Sequence, residues 1–297
     1  MLVTGGSGFI GSHVVDKLMA AGHDICVFDL RHPVQESVEW FKGDIVHERE
    51  VMQACWDVEA VYHLAAIADV YMAAPYPSTC IQVNEIGTLN ILKAATAREV
   101  ERVVLASSTW VYGTHARADE ETPILPPSDI YTKTKIGQEH LLISWHSKTG
   151  LPYTVLRYGI PYGPRMRSNM AISKFVRKAM KGDLITIFGD GTQGRCFVYV
   201  EDLAEGNVLA LKKQAENQVI NLAGDEFTTL NDIVKLLKNH FRHLKVTHIP
   251  TKRDDFKGTV VSNTKAKKLL GWSPSSFADG FAAYIALCRD EREIRTY

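Results

Sequence analysis

The chemistry of this sequence starts from a tyrosine and a lysine. The stretch YTKTK, residues 131–135, spaces Tyr131 and Lys135 by four, so on a helix they share one face a turn apart. Among 11 tyrosines it is the only one followed by lysine at that spacing. A cation beside a phenol favours the phenolate and lowers its pKa. A phenol brought toward neutrality can take a proton from an alcohol. The plain alternative is a surface helix start with an unengaged Tyr and Lys. A second polar cluster lies upstream, in ASSTWVYG at 106–113. There the apolar run RVVL ends in Ser107, Ser108, Thr109 and Trp110. These hydroxyls are either catalytic or merely the polar end of a strand.

A third group is built from glycine. TGGSGFIGSH, residues 4–13, reads as Gly6-x-Gly8-x-x-Gly11 or as Gly5-x-x-Gly8-x-x-Gly11. By itself the pattern is weak. Here it follows a short apolar strand and opens a helical segment, FIGSHVVDKLMAAG. In that setting the glycines permit a tight turn and close backbone approach, and the helix N-terminus faces a pyrophosphate. Asp29 ends the next strand, about 20 residues on, where a carboxylate accepts from the adenosine ribose hydroxyls. It would repel a 2′-phosphate, which favours NAD over NADP, although Arg31 and His32 can pair with such a phosphate. In GDI, Asp44 can meet the adenine edge or be an ordinary loop carboxylate.

Elements must position these groups. DICVFDL (24–30), AVYHLAA (60–66), RVVLASS (102–108), PYTVLRYG (152–159) and VINLAG (219–224) read as strands. Helix-length segments separate them, and VNEIGTLNILKAATAR (83–98) puts Ile86, Leu89, Ile91, Leu92 and Ala95 mostly on one side. The alternation implies an α/β fold with a doubly wound parallel sheet, Rossmann in type. Past residue 160 the texture turns to basic, loop-rich segments, predicting a smaller C-terminal substrate lobe. The expected division is 1–159 and 198–244 for the dinucleotide-binding domain, and 160–197 and 245–297 for the lobe.

Bulk properties narrow the partners. Of the 297 residues 45% are hydrophobic and 23% charged, with a formal net charge of zero. That gives no support for nucleic acid or a membrane surface as partner. The 5 cysteines are dispersed, without a C-x-x-C pair, so no metal site is expected and reduced thiols in a cytoplasm are. No apolar run approaches the roughly 20 residues of a membrane span. No signal-peptide pattern precedes the first strand, which is consistent with a cytoplasmic location.

Taken together the motifs resemble the extended short-chain dehydrogenase/reductase family, of the NAD-dependent epimerase/dehydratase type, and in pattern the UDP-glucose 4-epimerase-like nucleotide-sugar enzymes. The likeness runs nearly the whole chain: TGGSGFIGSH, HLAA (63–66), VNEIGT (83–88), SSTWVYG, YTKTK, GDGTQGRCFVYVEDLAEG (189–206) and KAKKLLGWSP (265–274). The resemblance implies Ser108 as catalytic hydroxyl, Tyr131 as base and Lys135 as its modulator and as holder of the nicotinamide ribose. It implies an NAD site of Gly5, Gly8, Phe9, Ile10, Gly11, Asp29, Asp44, Ile45, Leu64, Ala65, Ala66, Tyr131, Lys135 and Tyr158. On the substrate side it implies Ser108, Thr109, Tyr131 and Arg195, with a second diphosphate-binding cation at Lys252 or Arg253. There KRDD departs from the family's R-P-G-D, and Ile160 stands where the family often has Asn. Arg165 or Arg167 can compensate, or be solvated loop arginines.

The resemblance also implies a reaction. Tyr131 takes the proton of a sugar hydroxyl, usually at C4, and NAD takes the hydride. Dehydratases of the family place Asp and Glu directly after the Ser108 position, and decarboxylases carry a Glu there. Here Thr109 and Trp110 occupy those places, and neither is a carboxylic acid. The leading expectation is an NAD-dependent nucleoside-diphosphate-sugar 4-epimerase, with a UDP-hexose as the candidate substrate. A net oxidoreductase and a non-catalytic dinucleotide sensor are the alternatives. Relatives also imply a homodimer, paired through helices near 80–98 and 131–149. Leu141, Leu142 and Trp145 suit such a contact or packing on the sheet.

Overall fold

The computed structural model describes residues 1–250 and 257–290. Seven strands form one sheet, in the order Gln218–Leu222, Tyr153–Tyr158, Arg102–Ser108, Ala60–His63, Leu2–Thr4, Cys26–Asp29, Glu39–Lys42. Every pairing in it is parallel. The chain starts in the middle, runs to one edge, then returns to build the other half. The order therefore reverses between Leu2–Thr4 and Ala60–His63, and ligands of such sheets bind at that point, beyond the carboxyl ends of the strands. All residues of Arg102–Ser108 and Tyr153–Tyr158 are buried, as strands covered on both faces require. Val14, Val15, Leu18, Leu203 and Trp272 cover one face; Ile91, Leu92, Ala95 and Leu142 cover the other.

The doubly wound α/β fold is as expected, with shorter edges. The strand expected over 60–66 stops at His63, because Leu64–Ala66 leave the sheet at the switch point. Glu39–Lys42 adds a strand that the sequence does not announce: its EWFK lies at the sheet edge and offers no apolar run. The helix expected over 83–98 is Gly87–Ala97, preceded by a π-helical turn, Gln82–Ile86. That wide turn shifts the phase of the apolar stripe. Ile86 is consequently exposed, while Ile91, Leu92 and Ala95 are buried.

The smaller lobe has a three-stranded sheet, Phe227–Thr229, Gly194–Tyr199 and Ile160–Tyr162, and a strand pair, Ile185–Phe188 with Val246–Ile249. Its core holds Tyr162, Phe175, Ile185, Leu237, Phe277 and Phe281. Packing draws the division differently from the sequence. Helix Leu230–His240 sends Ile233 and Leu237 into the lobe core, so this helix packs with the lobe and not with the dinucleotide-binding part. Conversely Ala266, Leu270 and Trp272 pack on the main sheet. Among the described residues no helix is long and apolar enough to cross a membrane.

Candidate active site

The glycine turn is built for backbone to approach backbone. Gly5 has φ +72°, and a Cβ on it would sit 2.7 Å from the Ala65 nitrogen. A Cβ on Gly11 would overlap the Gly5 carbonyl oxygen. Gly8 is different: an added Cβ would meet only that oxygen, at 3.1 Å, so it would otherwise point into open space. Gly8 also caps the helix Phe9–Ala20, which has no side-chain cap and no acidic residue in its first turn. Its free N–H groups and the positive end of its dipole suit a diphosphate.

Asp29 stands beside this turn at the end of its strand. Its Oδ2 accepts from Ser7 N at 3.1 Å and its Oδ1 from Arg31 N at 3.0 Å. A carboxylate has acceptor capacity beyond those two bonds, enough for a ribose diol. Leu64 N donates to Thr4 O at 3.1 Å and Ala65 N to Thr4 Oγ1 at 3.2 Å, holding the Leu64–Ala66 segment over the first strand. Asp44 Oδ1 accepts from Val46 N at 3.1 Å and Ile45 is buried. Tyr158 points inward, donating to Asn207 Oδ1 at 2.6 Å. Its phenol is therefore engaged in the core, leaving its backbone for any ligand contact. The cradle fits a dinucleotide: open helix terminus, glycine floor and strand-end carboxylate fall at one switch point.

The reacting groups lie further along the sheet. Helix Ile130–Thr149 begins at the cap Asp129, whose Oδ1 accepts from Thr132 N at 2.8 Å. That fixes Tyr131 in the first turn, buried, with its phenol hydrogen-bonded to Ser108. Ser108 ends its strand, and its Oγ accepts from Trp110 N at 3.2 Å. Lys135 is buried one turn on and donates from Nζ to Ala106 O at 2.7 Å. The three positions expected from the sequence thus converge. On electrostatics the structure corrects the expectation. Burial pushes the Tyr131 phenol up to about 12, the Ser108 bond opposing, and the charges acting on it most come from Asp129, Arg167 and Asp69 rather than Lys135. Burial pushes Lys135 itself down to about 8, opposed by Glu139. The lysine's nearest work is on the strand carbonyl, so the phenol needs a further cation before it can act as a base at neutral pH.

Several supports escaped the sequence reading. His63 Nδ1 lies 2.8 Å from Thr4 Oγ1 and its Nε2 lies 2.9 Å from Thr88 Oγ1. Burial pushes its pKa down to about 3, so it is neutral. Asn84, in the π-helical turn, accepts from Ile67 N at 2.8 Å and donates to Thr134 Oγ1 at 2.9 Å, joining the post-strand loop to the tyrosine helix. Both residues sit inside quoted motifs, HLAA and VNEIGT. Glu139 and Arg157 form a buried ion pair at 2.7 Å behind Ser107, and the signal for it was Glu139 four residues past Lys135.

On the lobe side Thr109, Trp110, Gly113, Ile160, Arg195 and Thr259 line a small pocket beside Ser108. The Arg195 guanidinium carbon stands 5.7 Å from the Trp110 ring centroid, within cation–π range. The other arginines are engaged elsewhere. Arg165, at φ +62°, pairs with Asp16 and meets His13 Nδ1 at 2.9 Å on the first helix. Arg167 donates to Ala68 O at 3.1 Å and pairs with Asp69 at 3.3 Å, near enough to Tyr131 for its charge to favour the phenolate. Lys252 and Arg253 lie outside the described residues. Leu142 is buried in the chain's own core, and Leu141 and Trp145 pack against it.

Comparison with known proteins finds relatives over most of the chain. A model of the NAD dependent epimerase/dehydratase family matches residues 1–223. A putative UDP-glucose 4-epimerase of Methanocaldococcus jannaschii is 32% identical over 289 residues, covering 92% of this chain and 93% of that one. UDP-glucuronic acid decarboxylase 1 of Danio rerio is 31% identical, covering 92% of this chain and 68% of that protein. Among solved structures, UDP-glucuronic acid 4-epimerase from Bacillus cereus, in complex with UDP-glucuronic acid and NAD, superimposes with a TM-score of 0.89 at 29% identity. That match covers 98% of this chain and 99% of that one.

Proposed function

The chain belongs to the NAD dependent epimerase/dehydratase family, and from that premise we propose that it is a nucleoside-diphosphate-sugar 4-epimerase acting on a UDP-sugar through a transient 4-keto intermediate. The carrying observation is the composition of the serine-strand end. Ser108, Tyr131 and Lys135 converge there, while Thr109 and Trp110 supply no carboxylic acid. Elimination of water needs an acid–base pair beside the keto sugar; inversion at C4 needs none.

NAD is the cofactor, and when bound it supplies a hydride acceptor and a cationic ring. The uncapped helix at Gly8 and the Asp29 carboxylate hold its diphosphate and adenosine ribose. Lys135 spends one of its three N–H donors on Ala106 O, which leaves donors for the nicotinamide ribose. Tyr131 takes the C4 hydroxyl proton and, once the keto sugar has turned, returns it to the C4 oxygen; inversion arises because the hydrogen on carbon comes back from the opposite face. Ser108 donates to the same oxygen. Arg195, which lines the lobe pocket, grips the nucleotide diphosphate while the sugar turns. Trp110 forms the pocket wall.

The decarboxylase reading has a relative behind it but lacks the acid at 109 or 110. The test is incubation of the purified protein with UDP-, dTDP-, GDP- and CDP-sugars, including uronates, with products resolved by NMR. C4 inversion without net NADH is the expected result. Loss of carbon dioxide or water overturns the reading. We further propose a homodimer in the cytoplasm, the exposed Ile86 lying on the helical segment that would meet the second copy.

A further inference from the structure

Helix Ile130–Thr149 is stitched to the serine strand at two consecutive residues just before Ser108. Lys135 Nζ donates to Ala106 O at 2.7 Å, and the Ser107 hydroxyl donates to Glu139 Oε1. Ser107 is in register with Arg157 on the next strand. Arg157 closes on Glu139 with Nε to Oε1 at 3.0 Å and Nη2 to Oε2 at 2.7 Å. Its Nη1 donates to the Tyr112 hydroxyl at 2.9 Å, and that hydroxyl donates to Asn221 Oδ1 at 2.7 Å. The Arg157 and Glu139 side chains are 6% and 2% exposed.

A buried ion pair is a poor source of stability, since apolar side chains of similar volume often do as well or better. Its placement suggests another role. Lys135 lies fully desolvated, which drives an ammonium to shed its proton. The groups facing it from other elements do not supply an anion at neutral pH. Cys80, on Pro77–Ile81, has its thiol pushed up by burial; His63, on Ala60–His63, is neutral; Tyr131, on the same helix, is protonated. Glu139 is the carboxylate one turn further on, on the same face. Tyr153, the other titratable group facing Glu139, is also held neutral by burial.

We propose that Glu139, clamped by Arg157 and Ser107, is a positioning residue that keeps Lys135 protonated while tying the catalytic helix to the end of the serine strand. The kinetic consequence rests on the epimerase reading; the titration of Lys135 does not. The test labels lysine Cε with carbon-13 and follows the Lys135 resonance, assigned by its loss in Lys135→Arg, as a function of pH in the full chain. In Glu139→Gln the midpoint is expected to fall by about one unit or more. The alkaline fall of kcat/KM moves down with it, while kcat on the plateau below changes less. Should Glu139→Gln fail to fold with Arg157 left unpaired, the double variant Glu139→Leu with Arg157→Met removes both charges, and its downward shift is expected to be smaller because the opposing Arg157 cation goes with the carboxylate. A folded variant of either kind with an unmoved Lys135 midpoint overturns the proposal. A moved midpoint without C4 inversion in the substrate panel sinks only the function proposed above.

Discussion

The two ends of the candidate site are made of different materials. At the cofactor end the working parts are backbone: a glycine floor that admits no Cβ at Gly5 or Gly11, and a helix terminus left without a cap. At the catalytic end they are buried side chains. Ser107, Glu139, Arg157, Tyr112 and Asn221 form one hydrogen-bonded chain behind Ser108. The first end works by leaving donors unsatisfied for a ligand. The second works by hydrogen-bonding the buried charged and hydroxyl groups behind the few that must react. If this division is right, damage to one end leaves the other measurable.

The sharpest break is Tyr131→Phe. The ring fills the same buried space, so the fold and the glycine cradle are untouched, and only the proton-transfer group is lost. Turnover of the substrate identified in the panel is expected to fall by about 10²- to 10⁴-fold, the usual worth of general acid–base catalysis. NAD content after purification, read by releasing the dinucleotide and quantifying it, stays at the parental level. A Tyr131→Phe protein turning over at parental speed would remove Tyr131 from the mechanism. Parental speed lost together with NAD would deny the separation of the two ends.

The reciprocal damage is Gly11→Ala. The added carbon overlaps the Gly5 carbonyl oxygen, so the turn must open or the helix must shift. Overpacking of this kind typically costs about 1–3 kcal/mol of stability; where the turn opens to relieve that strain, NAD affinity by calorimetry is expected to fall by up to the same amount, about 150-fold at most. Lys135, held on Ala106 O two strands from the turn, should keep its parental NMR midpoint. Unchanged NAD affinity would show that the turn does not carry the diphosphate.

The same division explains what could be read from the sequence. Backbone devices leave local marks: glycines at fixed offsets and a carboxylate at a strand end are visible within a short window. Tyr131 and Lys135 were legible for the same reason, since helical spacing is local. The supports were not. Arg157 meets Glu139 and Ser107 only because parallel crossovers bring three separate elements into register. At Tyr131 spacing reports that Lys135 shares its face, not that burial outweighs charge or that Lys135 is engaged by Ala106 O. The helix over 83–98 is there, but its π-helical turn, which exposes Ile86 and aims Asn84 at Ile67, has no signature in apolar periodicity. Which core helix Leu230–His240 joins could not be read either, because loop texture marks a change of style and not a packing partner.

One residue belongs to both ends, and it gives the smallest effect. His63 bridges Thr4, under the glycine turn, and Thr88, on the helix that also meets Gln138 of the tyrosine helix. Burial lowers its folded pKa to about 3, against about 6.5 in the unfolded chain. As pH falls below about 6.5 the unfolded state takes up a proton that the folded state refuses. The stability tied to neutral His63 is therefore complete above about 6.5 and is lost progressively from there toward about 3. His13, lowered to about 4 by burial and then by Arg165, adds in the same direction. Each histidine contributes at most about 1.4 kcal/mol per pH unit to the slope. Carboxylates that titrate below about pH 5 overlie the rest, so the clean window is about pH 6.5 to 5. Urea unfolding across that window should show stability declining with acid, and His63→Gln should flatten the decline by up to one proton's worth even if it lowers stability throughout. An equal slope in parent and variant would mean that His63 is protonated in the folded chain, and that the bridge between the two ends is not the neutral hydrogen-bonded ring described above.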